Sequence, residues 1–237
     1  MDIHKPEPWR GWREFIKEIG TIVIGVLIAL GAEQAVETLH WRHVVEQERE
    51  NLRTESAWNQ QTMYARLQIE PCVARRLAEL DELFSRHRHG KPLGQIAAVG
   101  RPAYWTGGNQ AWDLALSDQA VAHMPQKDKT LYTALAQVYG SYDGTRLEER
   151  AAWRDLQVLD HADDLSPADW SSARKSLAAA HDSDEQMRIH IRDEDWLGGY
   201  RGLGLPRAKP DARVMAMGPI VALCRPMLAQ AQPQVTP

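Results

Sequence analysis

Hydrophobic positions recur along most of the chain at the three- and four-residue spacing of α-helices, and one uncharged run stands apart from this pattern. The run extends from Ile19 to Ala32 and is apolar or small around the whole helical circumference. Neither an alternating strand pattern nor an internal repeat is evident. The pattern predicts an all-α protein in which a single N-terminal transmembrane helix is followed by a helical-bundle domain.

The predicted buried positions after this run form successive helical stripes. The first helix is expected to continue without a breaker to Pro71, and Ser166-Pro167 supplies the clearest later helix start. A single short helix is expected over 109–124, and Gly140 and Gly144 are expected to kink the helix after it. The stripes, in chain order, are Val45, Leu52, Met63 and Leu67; Val73, Leu77, Leu80 and Phe84; Trp112, Leu116 and Ala120; Leu131, Leu135, Val138 and Tyr142; Trp153, Leu156 and Leu159; and Trp170, Ala173, Leu177, Ala180, Met187 and Ile191.

Three interpretations of the N-terminal run are open. The uncharged residues alone cover about 21 Å, less than the roughly 30 Å hydrocarbon core of a bilayer. Apolar flanks extend the predicted span to residues 15–39, and Trp12 and Trp41 are about 43 Å apart on a helix, which suits indole rings at the two membrane interfaces together with Trp9. The alternatives are a cleavable signal peptide with an A-x-G site at 29–31 and an interfacial or core helix. The tryptophan spacing favours the uncleaved span.

Basic residues near the ends of the span predict its orientation. Four precede it and three follow it, which favours a cytoplasmic N-terminus. The expected organisation is a short cytoplasmic tail over 1–14, the span over 15–39, a periplasmic helical bundle over 40–231 and a polar tail over 232–237. The basic residues are Lys5, Arg10, Arg13 and Lys17 before the span, and Arg42, Arg49 and Arg53 after it.

The N-terminal region also resembles a known family. The segment HKPEPWRGWREFIKEIGTIVIGVLIALGAEQAVETLHWRH, from His4 to His43, is similar to the opening of a family of uncharacterised single-pass proteins of Gram-negative bacteria. Its most specific parts are the GWREF motif at 11–15 and the run from Glu18 to Gln34. The resemblance implies one inner-membrane helix and a periplasmic helical domain, and it supplies no catalytic or binding residues.

Composition and charge narrow the function classes. The chain has 237 residues, of which 43% are hydrophobic and 25% charged, as in ordinary globular proteins. A mean hydropathy of -0.48 excludes a multi-span membrane protein. The formal net charge of -4, without long blocks of like charge, argues against nucleic acid as a partner.

Small residues on the span give it a possible packing face. Gly25 and Ala29 form one small-x-x-x-small pair, and Gly31 and Ala35 form another, which would let a second helix approach closely. A protein partner or a homo-oligomer through the transmembrane helix is therefore expected. The alternative is that these residues are simply common in transmembrane helices.

The two cysteines, Cys72 and Cys224, are candidates for a disulfide if the domain is periplasmic. The bond would close a loop of about 150 residues and stabilise the fold by roughly 5 kcal/mol on the chain-entropy model. Two buried free thiols are the alternative.

Several groups of residues have the composition of chemical sites, but none predicts a catalytic, cofactor or metal site. Glu37 and His40 have the spacing of a di-metal carboxylate helix, but the second Glu-x-x-His that such a site needs is missing. His87 and His89 suit a solvated cationic helix end. His161 with Asp163 and Asp164, and the acidic run 182–185, suit turns and helix surfaces, since the glycine of a calcium loop is missing.

The loop over residues 90–109 is the best surface candidate for function, with Tyr104 and Trp105 as its expected contact residues. The sequence thus favours a non-enzymatic accessory or assembly subunit that acts through protein contacts. A ligand-binding module with a tryptophan-lined pocket is the first alternative, and an enzyme is the second. The tryptophans after Trp41 are otherwise expected in the core: Trp58, Trp105, Trp112, Trp153, Trp170 and Trp196. If a tryptophan-lined pocket exists, Trp105 is its expected member.

Overall fold

The computed structural model describes residues 11–197, 202, 203, 205 and 208–228, apart from the side chains of 194–197. Within these residues the secondary structure is helical, and the one β-type contact is an antiparallel bridge between Ile96 and Leu228. The predicted fold class, an apolar N-terminal helix followed by a helical domain, is confirmed. Predictions for Trp9, the Trp196 side chain and the tail 232–237 lie outside the described residues.

The first helix, α1 (Trp12–Gln68), runs without interruption from the apolar segment into the domain. At about 1.5 Å per residue it is roughly 85 Å long. Its most apolar 18-residue window has a mean hydropathy of 2.0, and none of that window is buried in the protein. The N-terminal part of α1 is therefore long and apolar enough to cross a membrane.

Burial on α1 begins at Val45, and the prediction for the stripe that follows is only partly right. Val45, Leu52 and Met63 are buried, but Leu67 is 41% exposed. Two polar residues between Leu52 and Met63, Ser56 among them, are also buried. The second is Asn59, whose side chain exchanges hydrogen bonds with the backbone of Gly108.

The second helix, α2 (Glu70–Arg88), begins after a single linking residue, Ile69. Pro71 in its first turn has no N–H to donate, so it ends the hydrogen-bond ladder of α1 and starts α2. The predicted stripe on α2 is confirmed, since Val73, Leu77, Leu80 and Phe84 are all buried.

The segment over 109–124 forms two short helices instead of the single one expected. They are α3 (Gln110–Ser117) and α4 (Ala120–His123), and Gln119 between them has a φ of 60°. The break rotates the buried face, so Ala115 and Ala120 are buried while Leu116 is 50% exposed. Both helices pack along α1, with the carboxylate of Glu55 accepting from the Ala111 N–H at 3.1 Å.

The helices α5 (Gln126–Leu156) and α6 (Pro167–Leu197) form the antiparallel centre of the bundle. A 3-10 helix (Gln157–Asp164) joins them, and α5 stays helical through Gly140 and Gly144, where a kink was expected. Ser166 and Asp169 cap α6 reciprocally: Asp169 accepts from the Ser166 N–H at 3.0 Å, and the Ser166 hydroxyl accepts from the Asp169 N–H. The predicted start of α6 is confirmed.

Two short helices, α7 (Ala212–Met215) and α8 (Gly218–Cys224), complete the described chain. Pro219 lies in the first turn of α8, and Pro226 follows its end. Ile220 and Leu223 are fully buried, and α8 packs against α2.

The core has two apolar clusters with a charged layer between them. On α1, α5 and α6 the charged residues Arg66, Glu149 and Asp184 each lie in sequence between members of the two clusters. The Arg66 guanidinium contacts Glu149 at 2.8 Å, Asp184 at 2.6 Å and Glu70 at 2.9 Å. The cluster nearer the apolar segment includes Val45, Leu52, Met63, Leu135, Tyr142 and Met187, and the other includes Ile69, Val73, Leu80, Trp153, Leu156, Trp170 and Ile220.

Candidate functional site

A disulfide joins Cys72 at the start of α2 to Cys224 at the end of α8, with 4.8 Å between their Cα atoms. This is the pairing that the sequence offered as a candidate. The bond links segments that are 152 positions apart. It holds α8 against the apolar cluster that contains Trp153 and Ile220, which we call the distal core.

One turn beyond Cys72, Arg76 forms a buried junction that sequence reasoning missed. Its guanidinium is 1% exposed and donates to the carbonyl oxygens of Ala98, Leu223 and Arg225 at 2.9, 3.1 and 2.6 Å. Glu79 balances its charge at 2.9 Å. The sequence signal that could have revealed this junction is an arginine inside the apolar stripe of α2. The Arg76 contacts fasten the 90–109 loop to the C-terminal segment.

Tyr104, expected as a contact residue, is directed toward the interior. The residue is half-buried, and its hydroxyl oxygen is buried without a hydrogen-bond partner among the described atoms. Burial raises the pKa of Tyr104 far above its ordinary value, and the nearby charge of Glu149 adds to this effect. Tyr104 therefore borders the charged layer, and Trp105 is the residue of this pair that borders the surface.

Trp105 lies beside Trp58 in an open groove of about 610 Å³, which we call the Trp58–Trp105 groove. Trp58 is 58% exposed, so the prediction that it lies in the core is wrong. Trp105 is half-buried and packs against the distal core. The groove is completed by Thr62 and Ala65 of α1 and by the segment 209–214.

The 90–109 loop is held against α1 on one side of this groove. The Trp58 indole donates through Nε1 to the Thr106 carbonyl at 3.0 Å. The Asn59 amide donates to the Gly108 carbonyl at 2.8 Å and accepts from its N–H at 3.0 Å. A Cβ at Gly107 would lie 2.3 Å from Asn59 Oδ1, so only glycine fits this approach without a shift. The Trp58 indole is thus fixed beside the loop that carries Trp105.

The opposite wall is the segment 209–214, which α1 also holds. Gln61 donates to the Lys209 carbonyl at 3.2 Å, and the Gln68 amide oxygen accepts from the Asp211 N–H at 3.2 Å. On the rim, Arg213 binds both carboxylate oxygens of Asp211, and this hydrogen bonding holds the pKa of Asp211 below its ordinary value. The groove therefore presents two indole rings and a charged pair to solvent.

The predicted membrane residues lie on the exposed part of α1. Gly25, Ala29, Gly31 and Ala35 are all exposed, and Trp12 is too. A different environment surrounds Trp41 at the other end of the segment: its ring stacks on His123 of α4, with 3.7 Å between the centroids. This contact had no signal in the sequence.

The residues considered for metal or acid-base chemistry are dispersed in the structure. Among the described residues, no group of three or more histidine, cysteine, aspartate or glutamate side chains could hold a metal ion. His87 stacks on Trp170 with 3.8 Å between the centroids. Within the acidic run 182–185, Asp184 is buried in the charged layer, so a surface role is wrong for it.

Comparison with protein-family models, with curated proteins and with solved structures gave no significant match.

Proposed function

We propose that this chain is a single-pass inner-membrane protein of Gram-negative bacteria with a cytoplasmic N-terminus and a periplasmic helical domain. It acts without catalysis, as an accessory or assembly subunit of an envelope complex, by binding a partner protein in the Trp58–Trp105 groove. The observation that carries this proposal is the exposed indole of Trp58, held by a hydrogen bond to Thr106 beside Trp105 and opposite the charged pair of the rim.

Tryptophan and arginine dominate the binding energy of protein interfaces when they lie together at the centre of a contact. An exposed indole that is already oriented loses little conformational freedom on binding. In this groove Trp58 has its orientation set by Thr106, and Arg213 is held by Asp211. The arrangement supports a preformed contact site for one or two side chains of a partner.

The anchoring half of the proposal is supported by the continuity of α1. The helix has no break between the apolar segment and the groove, and Trp58 is about 28 Å along the helix from Leu39 at the predicted end of the span. A disulfide between Cys72 and Cys224 suits an oxidising compartment such as the periplasm. The groove would therefore be held at a set height above the membrane.

A second contact site is proposed on the span itself. A Cβ added at Gly25 or at Gly31 would meet no atom within 4 Å, so α1 is open to another helix at both small-residue pairs. A partner helix, or a second copy of this chain, would pack here within the bilayer. The changes Ala29→Leu and Ala35→Leu would block that approach and leave the domain intact.

Topology is tested with fusions to the full chain. Alkaline phosphatase at the C-terminus should be active in intact cells, and the product should stay in the membrane fraction at its uncleaved mass after carbonate extraction. A soluble product about 3 kDa lighter would show that the segment is a signal peptide and would overturn the anchored proposal.

Contact in the groove is tested with a photocrosslinking amino acid at Gln61, with the exposed Lys175 on α6 as the matched control position. We expect a defined protein adduct from Gln61 and none from Lys175, and Trp58→Ala should remove it. Equal adducts from both positions, or an adduct indifferent to Trp58→Ala, would overturn the protein-contact proposal.

A ligand-binding module is the second candidate, since an exposed indole face can also stack on a sugar ring or a lipid. Mass spectrometry of the protein released gently from the membrane distinguishes the two. A small molecule that co-purifies with the wild type and is lost from Trp58→Ala would favour this second function over the first.

A further inference from the structure

A second groove lies where the apolar segment of α1 enters the domain. It has a volume of about 480 Å³ and is lined by one face of α1 between Gln34 and Arg49 and by His123 and Pro125 of the α4–α5 turn. We call it the juxtamembrane groove. Exposed apolar side chains continue along α1 up to Leu39, so the groove overlaps the last residues of the predicted span and extends beyond it into the domain.

The juxtamembrane groove is built by contacts between elements distant in sequence. Trp41 stacks on His123 with an angle of 12° between the rings. Arg49 Nε lies 3.3 Å from a carboxylate oxygen of Asp128 at the start of α5. These two contacts fix the α4–α5 turn against α1 and keep the groove open between them.

Within this groove the charges are not all neutralised by the protein. Arg49 is paired with Glu46 at 3.2 Å as well as with Asp128. Arg42 and Glu37 also line the groove, and neither forms an ion pair with another residue in the described part of the chain. One cation and one anion are thus left free at the level where lipid headgroups begin.

We infer that the juxtamembrane groove binds a phospholipid whose headgroup carries a primary amine. The lipid phosphate pairs with the Arg42 guanidinium, and the headgroup folds back along the groove so that its ammonium donates hydrogen bonds to the Glu37 carboxylate, which lies about 7.5 Å nearer the membrane along α1. The acyl chains lie along the exposed apolar surface of α1 on the N-terminal side of Gln34. This inference rests on the proposed membrane anchoring, because the groove meets lipid only if the segment 15–39 spans the bilayer.

The charge pattern distinguishes this occupant from other phospholipids. A quaternary ammonium has no N–H to donate, so phosphatidylcholine could not form the hydrogen bonds with Glu37. A headgroup with a net negative charge would satisfy Arg42 and leave Glu37 facing a like charge. Only a headgroup with both a phosphate and a primary amine satisfies both free residues.

The test places the full chain in nanodiscs of phosphatidylcholine that contain one-fifth phosphatidylethanolamine or one-fifth phosphatidylglycerol, with matched acyl chains. The protein is then released and its retained lipids are measured by native mass spectrometry. We expect phosphatidylethanolamine to be enriched on the wild type, and Arg42→Ala and Glu37→Gln each to reduce its retention about tenfold. Both residues are exposed, so neither change should unfold the domain.

Matched controls are Arg53→Ala and Glu50→Gln, which remove the same charges from exposed positions further along α1 and should retain the lipid as the wild type does. Equal retention of all three lipids, or loss in the controls as large as in the groove variants, would overturn the lipid site alone. Preferential retention of phosphatidylglycerol would overturn the role of Glu37 and the amine. A chain that does not enter the discs would overturn the anchoring proposal and this inference with it.

Discussion

Arg66 and Glu149 are separated by 83 positions in the sequence and form a buried ion pair, with 2.8 Å between Nη2 and Oε1. Glu149 is fully buried and Arg66 is 2% exposed. The same guanidinium nitrogen contacts Asp184, so this one residue of α1 connects α5 and α6 in the middle of the bundle. A buried charge is tolerated only while its partners remain, which makes this layer sensitive to the loss of any one member.

Replacement of Arg66 by methionine should therefore destabilise the domain strongly. The change leaves Glu149 without its cation and Asp184 with only the half-exposed Arg188 at 3.7 Å, and the expected loss is about 3–5 kcal/mol. The measurement is urea unfolding of the full chain in a mild detergent, followed by tryptophan fluorescence, since Trp153 lies one turn from Glu149.

The triple variant Arg66→Met, Glu149→Leu, Asp184→Asn tests the physical reason. It removes the three buried charges while keeping side chains of similar size, and it leaves the half-buried Glu70 with Arg188 at 3.9 Å. It should recover most of the lost stability. A triple variant no more stable than Arg66→Met alone would show that shape, and not unpaired charge, determines the cost at this position.

The parts of the fold that depend on local sequence pattern could be predicted from the sequence. The apolar segment of α1, the stripe from Val73 to Phe84 and the cap at Ser166 follow from spacing and from the chemistry of single residues. Leu67 and Leu116 were predicted to be buried but are exposed. Both lie at the edge of an apolar stripe, and tertiary packing decides which edge of a stripe is buried.

The candidate sites depended on long-range contacts that spacing does not encode. Trp58 was predicted to lie in the core, but the 90–109 loop packs on its neighbour Asn59 and leaves the Trp58 side chain exposed. The stacking of Trp41 on His123 joins positions 82 apart and has no local signature. Buried charges such as Asp184 looked solvated because their partners lie on other helices.

Reduction of the disulfide should lower stability without unfolding the distal core completely. Loss of a bond that closes so long a loop costs about 2–5 kcal/mol. The melting temperature of the oxidised protein should fall when a reductant is added, and that of Cys72→Ala/Cys224→Ala should be low from the start and indifferent to reductant. A wild-type melt that reductant does not change would contradict the covalent link.

His190 should make the stability of the bundle depend on pH near neutrality. Burial lowers the pKa of His190 from its ordinary value of 6.5, while the nearby charge of Asp193 opposes the shift. The folded state thus favours the neutral ring, whose Nε2 lies 3.2 Å from the Thr145 hydroxyl oxygen. This contribution is present above pH 6.5 and is lost as the pH falls from that value through the lower folded pKa.

The corresponding measurement is the urea midpoint between about pH 7.5 and pH 5, compared for the wild type and His190→Gln. Glutamine can still bond Thr145 and does not titrate, so its midpoint should fall less steeply over this range. Exposed His89, changed to glutamine in the same way, is the matched control and should leave the slope as it is. Parallel curves for the wild type and His190→Gln would contradict the assignment.

Alanine substitutions at two glycines, Gly107 in the 90–109 loop and Gly144 in α5, should change stability in opposite directions. An alanine Cβ at Gly107 would lie 2.3 Å from Asn59 Oδ1, which would displace a buried amide from its two hydrogen bonds with Gly108 and cost about 1–3 kcal/mol. An alanine at Gly144, inside α5, would meet no atom within 4 Å and should stabilise the helix by up to about 1 kcal/mol. Thermal unfolding should show a lower melting temperature for the Gly107 variant and a higher one for the Gly144 variant.

Asn59→Ala should destabilise the domain in the same way as Gly107→Ala. The double variant should lose less stability than the two single changes added together, since both remove the same contact. Additive costs would mean that Gly107 is constrained by something other than Asn59.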